Sequence, residues 1–259
     1  MKLVDLNCDL GESFGNYKCG MDGEILPYIT SANVACGFHA SDPVVMQKTV
    51  CLAKENHVSV GAHPGFQDLV GFGRRNMTLS PAEIAAIIVY QIGALSAFCS
   101  ANGMKLKHVK PHGALYNMAA KDPAIAMAIC QGIASVDKKL ILLAPSFSQM
   151  AKAAHSMGLP TASEVFADRA YEEDGSLVGR SKPGAMITDE EEAIARVIKM
   201  VEKGTVTAIT GKEIELEVDS ICIHGDSPAA LAFARSIHSA LTDAGVTLAP
   251  LAQVRRNRL

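Results

Sequence analysis

Short apolar runs alternate with longer helical ones along nearly the whole chain, and this alternation restricts the fold more than any other feature. Runs at 3–9, 32–36, 58–62, 106–110, 140–144, 163–167 and 220–223 have the length and composition of strands. Strands so continuously apolar are buried on both faces, as parallel strands with helical crossovers are. The helix starts are explicit: Asp42-Pro43, Ser80-Pro81-Ala82-Glu83, Asp122-Pro123 and Ser227-Pro228 each join a capping side chain to a proline that already has helical φ. A helix over 189–203 places acids in its first turn and a lysine in its last. The expected architecture is α/β, a single β/α barrel over 1–259, incomplete with seven strands unless 246–249 adds an eighth. Residues 205–210 and 213–218 alternate around Gly211-Lys212, which predicts a small hairpin insertion near 205–218.

The first strand is chemically odd. Asp5, Asn7 and Asp9 project from one face and Val4, Leu6, Cys8 and Leu10 from the other. A solvated edge would carry such polarity without further meaning, but the pattern recurs. Apolar runs end in Asp9 and Glu12, His39, His63, Lys110 and His112, the segment Glu164 to Arg169, and His224 with Asp226. In a β/α barrel these positions converge at the carboxyl ends of the strands, where active sites form. Four of the eight histidines lie just past strand ends within two residues of glycine or proline. His57, His108, His155 and His238 read instead as packing or surface residues.

The remaining features narrow the chemistry. A net charge of −3 argues against nucleic acid or an anionic membrane as partner. No apolar run is expected to approach the roughly 18 residues of a membrane span, and acids at 5 and 9 interrupt any signal-peptide core. Seven scattered cysteines without a Cys-x-x-Cys pair read as reduced thiols and predict a cytoplasmic protein. There is no phosphate loop, dinucleotide fingerprint or nucleophile elbow. Acids and imidazoles in this number suit either a divalent metal or metal-free acid–base work. Arg74, Arg75, Arg169 and Arg180 are candidates for a carboxylate or phosphate clamp.

The segments Asp5-Leu-Asn-Cys-Asp-Leu-Gly-Glu12, Asn33-Val-Ala-Cys-Gly-Phe-His-Ala-Ser-Asp42, Gly61-Ala-His-Pro-Gly-Phe66 with Gly71-Phe-Gly-Arg74, Val109-Lys-Pro-His-Gly-Ala-Leu-Tyr116, Glu164-Val-Phe-Ala-Asp-Arg169 and Ile223-His-Gly-Asp226 closely resemble the LamB/YcsF family. The resemblance implies a barrel related to glycoside hydrolase and deacetylase barrels, and opening of 5-oxo-L-proline to L-glutamate in a 5-oxoprolinase with subunits B and C. It further implies ATP as co-substrate, with Mg expected beside it. By position, Asp9, His39, His63, Lys110, His112, Asp168, Arg169, His224 and Asp226 are the expected catalytic groups. Asn7, Glu12, Arg74, Tyr116 and Arg180 are expected to bind substrate, and Asp5, Asp9, His39 and His63 are candidate ligands of a protein-bound divalent metal. A stand-alone metal-dependent amidase or carbohydrate deacetylase, or a non-catalytic scaffold, are the other readings.

Overall fold

The computed structural model describes residues 2–224 and 230–256. Strands β1 (Leu3–Leu10), β2 (Ser31–Ala35), β3 (Ser59–His63), β4 (His108–Val109), β5 (Ile141–Pro145) and β6 (Thr161–Phe166) pair in parallel in chain order. A hairpin of β7 (Thr205–Thr207) and β8 (Glu213–Glu215) follows, its strands antiparallel, within the expected insertion. Strand β9 (Ser220–His224) then pairs with both β6 and β1, closing a barrel of seven parallel strands.

The short strand β10 (Thr247–Leu248) is not an eighth stave. It pairs only with Leu3 and Val4, while β9 takes the edge of β1 from Asp5 to Asp9. Closure by β9 therefore leaves β10 outside the ring, and the seven-stranded form of the expectation is the one that folds.

The alternation in β1 now has a geometric meaning. Val4, Leu6, Cys8 and Leu10 join the hydrophobic core, and Asp5, Asn7 and Asp9 are equally buried. Both faces of a barrel strand are covered, one by helices and one by the barrel interior. The polar face is thus the interior of the barrel.

Three of the predicted caps form, and the fourth, Ser227-Pro228, lies outside the described residues. Asp42 accepts from the amides of Val44 and Val45, and Asp122 from those of Ala124 and Ile125, at the starts of helices Pro43–Glu55 and Pro123–Val136. Ser80 and Glu83 make a reciprocal capping box on helix Pro81–Ala101. That helix corrects one expectation, since by length and composition it could cross a membrane. Its buried stripe of Ile84, Ile88, Ile92, Leu95 and Cys99 instead joins the core. A helix not anticipated in the sequence, Gly113–Lys121, follows β4 directly.

Candidate active site

The barrel interior is polar from its floor upward. Asp5 accepts hydrogen bonds from Thr30 (2.7 Å), Ser31 (2.6 Å) and Ser220. Burial pushes its carboxyl up to about 6 despite these three hydroxyl donors. Asn7 donates to Glu164 at 3.1 Å and Ser220 at 2.7 Å, and accepts from Asn33 at 2.7 Å. Asn33 also donates to Asp9 (2.9 Å) and accepts from His108 Nε2 (2.8 Å). His108 starts β4, fully buried, and burial presses it down to about 3, so it is a neutral positioning residue. The expected substrate-binding Asn7 is enclosed in this network and is not among the residues that line the pocket above it.

One layer higher, Lys110 at the end of β4 lies between two carboxylates. Its Nζ is 2.9 Å from Asp9 and 2.8 Å from Glu164, and 3.0 Å from Cys222 Sγ. Burial alone would depress its pKa, but Asp9, Cys222 and Glu164 outweigh that and hold it well above the usual lysine value. Lys110 is therefore a fixed ammonium. Tyr116 donates to the second oxygen of Glu164 at 2.7 Å, so Glu164 orients both a cation and a phenol. The sequence grouped Glu164 with the strand-end residues but gave it no role. A lone carboxylate inside the apolar run of β6 was the available signal, because such a group is buried only with partners.

Beside Asp9 lies a cluster of imidazoles. His63 Nε2 is 3.4 Å from Asp9, and His39 Nε2 is 3.1 Å from Glu12. The rings of His39 and His112 stack at 3.6 Å between centroids and 4° between planes. His63 Nδ1 meets the carbonyl of Lys110 at 2.7 Å, and His112 Nε2 the carbonyl of Phe72 at 2.8 Å. Carbonyls only accept, so both of those nitrogens carry protons. In the neutral rings this leaves His63 Nε2 and His112 Nδ1 as bare lone pairs facing each other 2.9 Å apart. A proton added to one ring or a bound metal cation makes such a pair favourable. Glu12, His39, His63 and His112 offer donor atoms within 4.8 Å of one another and can hold a metal ion. Burial holds His39 and His112 well below the usual imidazole value, in the neutral form that ligates metal.

The candidate metal set therefore shares His39 and His63 with the expected one and differs in the rest. Asp5 lies outside the cluster, its carboxylate engaged by three hydroxyls, and Asp9 lies outside it with its carboxylate on Lys110 and Asn33. Glu12, expected to bind substrate, takes a place in the cluster.

Above these groups opens a pocket of about 540 Å³, lined by Asp9, Glu12, His63, Lys110, His112, Tyr116 and Glu164, and by Arg74, Arg169 and Arg180. Arg75 instead pairs with Asp68. Asp168 lies next to Arg169 but does not line the pocket. The backbone of His224 pairs beside Asp9; its side chain, and Asp226 as a whole, lie outside the described residues. Two glycines make the close packing of the histidines feasible. Gly73 has φ +63°, and a Cβ there would stand 2.7 Å from His39 and 2.8 Å from His112; at Gly65 it would be 2.8 Å from His39 Nδ1.

A seven-stranded β/α barrel with a buried ammonium, two carboxylates and a metal-capable imidazole cluster in its mouth is built for hydrolytic acid–base chemistry. The chain belongs to the LamB/YcsF family, whose model matches residues 4–256. It is 63% identical over 254 residues to the 5-oxoprolinase A subunit of Clostridium beijerinckii, covering 98% of this chain and 100% of that one. To the 5-oxoprolinase A subunit of Bacillus subtilis it is 54% identical over 255 residues, covering 98% and 99%. The crystal structure of a lactam utilization protein from Thermus thermophilus superposes with a TM-score of 0.91 at 48% identity, covering 96% and 99%. A family 4 carbohydrate esterase from Streptomyces lividans shares the fold alone, with a TM-score of 0.51 at 12% identity, covering 95% of this chain and 91% of that one.

Proposed function

We infer that the chain is a hydrolase acting on a cyclic amide, opening 5-oxo-L-proline to L-glutamate as one subunit of a 5-oxoprolinase. Full-length similarity to proteins named as the A subunit of that enzyme supports the reading. The observation that carries it is the Lys110–Asp9–His63 array on the pocket floor, which provides a cation and a proton acceptor on adjacent groups.

Hydrolysis of a lactam needs an attacking water relieved of a proton, stabilisation of the charge that grows on the carbonyl oxygen, and a proton for the departing nitrogen. The Lys110 ammonium, fixed by Asp9 and Glu164, is the group to meet the carbonyl oxygen. Asp9 takes the proton from water, His63 Nε2 stands 3.4 Å from its carboxylate, and the Glu164–Tyr116 pair holds the opposite wall in place. A divalent ion held by Glu12, His39, His63 and His112 would supply a Lewis acid at this point. Three imidazoles and one carboxylate suit zinc or another late first-row ion.

A five-membered lactam resists hydrolysis, so coupling to ATP is chemically sensible, and ATP with Mg²⁺ is the co-substrate of the complex. The lettered naming of the relatives implies partner chains, which we take to be subunits B and C. Seven free thiols fit a reducing cytoplasm. The test is glutamate release from 5-oxoproline and ATP by the assembled complex. Asp9→Asn and His63→Ala are expected to assemble normally and to lose turnover by at least a hundredfold; assembly with normal turnover would place the chemistry elsewhere.

A further inference from the structure

The pocket has a cationic end that the lactam-opening groups do not use. Arg169 follows β6 and is only 4% exposed. Its Nη2 donates to the carbonyl of Val178 at 2.6 Å, and its Nε has no hydrogen-bond partner among the described residues. A guanidinium carries five N–H donors, and leaving one buried and unused has a high desolvation cost. Arg180 and Arg74 line the same pocket. After burial, the like charge of Arg180 helps press Arg169 down to about 10; Asp168 and Tyr171 act the other way, and Arg74 adds to the effect of Arg180. Arg74 also stands 4.9 Å over the Phe72 ring, which holds it at the rim.

The helix Gly113–Lys121 contributes to the same field. It begins at the pocket, with Gly113 and Ala114 in the lining, and its N-cap His112 makes no side-chain cap. The positive end of that helix dipole is therefore directed at the cavity.

We propose that Arg169, with Arg74 and Arg180, forms an oxyanion subsite that holds an anionic group of the substrate while its lactam carbonyl meets Lys110. The proposal rests on the 5-oxoproline reading for the nature of the substrate and assigns the end by which it is gripped. A planar carboxylate and a phosphoryl group derived from ATP share the required chemistry, because both present paired oxygens to a guanidinium fork.

Calorimetric titration of the full chain with inorganic phosphate and with 5-oxoproline separates the two sources. At least one of them binds the wild-type chain. Arg169→Gln and Arg180→Gln each weaken that ligand at least tenfold; Arg180 is exposed, so its variant keeps the wild-type unfolding temperature even if Arg169→Gln loses stability. Phosphate binding that 5-oxoproline does not displace assigns the subsite to a phosphoryl group. Binding of 5-oxoproline that the same variants lose assigns it to the substrate carboxylate. No binding of either ligand to the wild type, or wild-type affinity in Arg180→Gln, overturns the subsite. Because no turnover is read, that result leaves the lactam-opening reading to its own test by glutamate release.

Discussion

Lys110 shows how a single side chain can serve folding and chemistry at once. Its ammonium lies against both Asp9 and Glu164, which are nearly inaccessible to solvent. Removing one partner of a buried ionic group leaves uncompensated charge, at a cost of roughly 3–5 kcal/mol. Lys110→Met is therefore expected to lower the denaturation midpoint as well as abolish glutamate release, and unchanged stability would mean that the ammonium does not offset the charge buried around it. Asp5 makes the opposite case. Its folded pKa of about 6 lies above the ordinary value of 3.8, so the folded state holds the proton more tightly than the unfolded chain does. The associated stability is complete below pH 4 and is lost as pH rises through 6, at most about 3 kcal/mol for a shift of this size. Relative to Asp5→Asn, the wild-type chain should lose stability over that window in chemical unfolding; parallel curves from pH 4 to 7 would show Asp5 to be ionised throughout. At this scale the sequence was legible in kind but not in depth. Alternation put Asp5, Asn7 and Asp9 on one face. It could not say that four residues along a strand separate Asp5 from Asp9 by roughly 13 Å, floor from mouth.

The strand ends and the turns after them were the most readable elements, because His39, His63, Lys110 and His112 each stand beside glycine or proline or one residue from them. Their shared environment was not readable. Glu12 and His39 come from loops after β1 and β2, His63 from the end of β3 and His112 from the start of a helix, and only closure of the barrel brings them together. Gly73 tests that packing. A side chain there meets both His39 and His112 and must adopt a left-handed φ, a strain on the order of 1–3 kcal/mol. Gly73→Ala should separate the stacked rings and lower both turnover and uptake of divalent metal, read by elemental analysis of the dialysed protein. Metal content and rate equal to wild type would show that the cluster tolerates the displacement. The Ser80 capping box is the control, since it lies on the outer surface at the start of helix Pro81–Ala101. Ser80→Ala should cost about 1 kcal/mol without altering glutamate release. The hairpin of β7 and β8 also acquires a use. Ile209 donates its amide to the carbonyl of Tyr171 at 2.8 Å, and Thr210 and Lys212 bind Glu173, so the insertion braces the segment that carries Arg169 and Arg180 into the pocket wall.

On the scale of the whole molecule, the helical caps and apolar strands made the barrel legible, and the family match extends over residues 4–256. Strand count was harder. The 247–248 strand has the composition of a barrel stave, and only the register of β1, shared between β10 below and β9 above, excludes it from the ring. Helix Gly113–Lys121 was hidden for a similar reason, because Pro111-His112-Gly113 reads as a turn and gives no conventional cap. Closing seven strands into one ring is what makes a common pocket of groups as distant in sequence as Asp9 and Glu164. The most direct measurement is a crystal structure of the chain with 5-oxoproline and a divalent metal. The lactam carbonyl should lie within hydrogen-bonding distance of Lys110 Nζ, with anomalous density among Glu12, His39, His63 and His112. A ligand bound outside this pocket, with the four-residue cluster bare at saturating metal, would contradict the account.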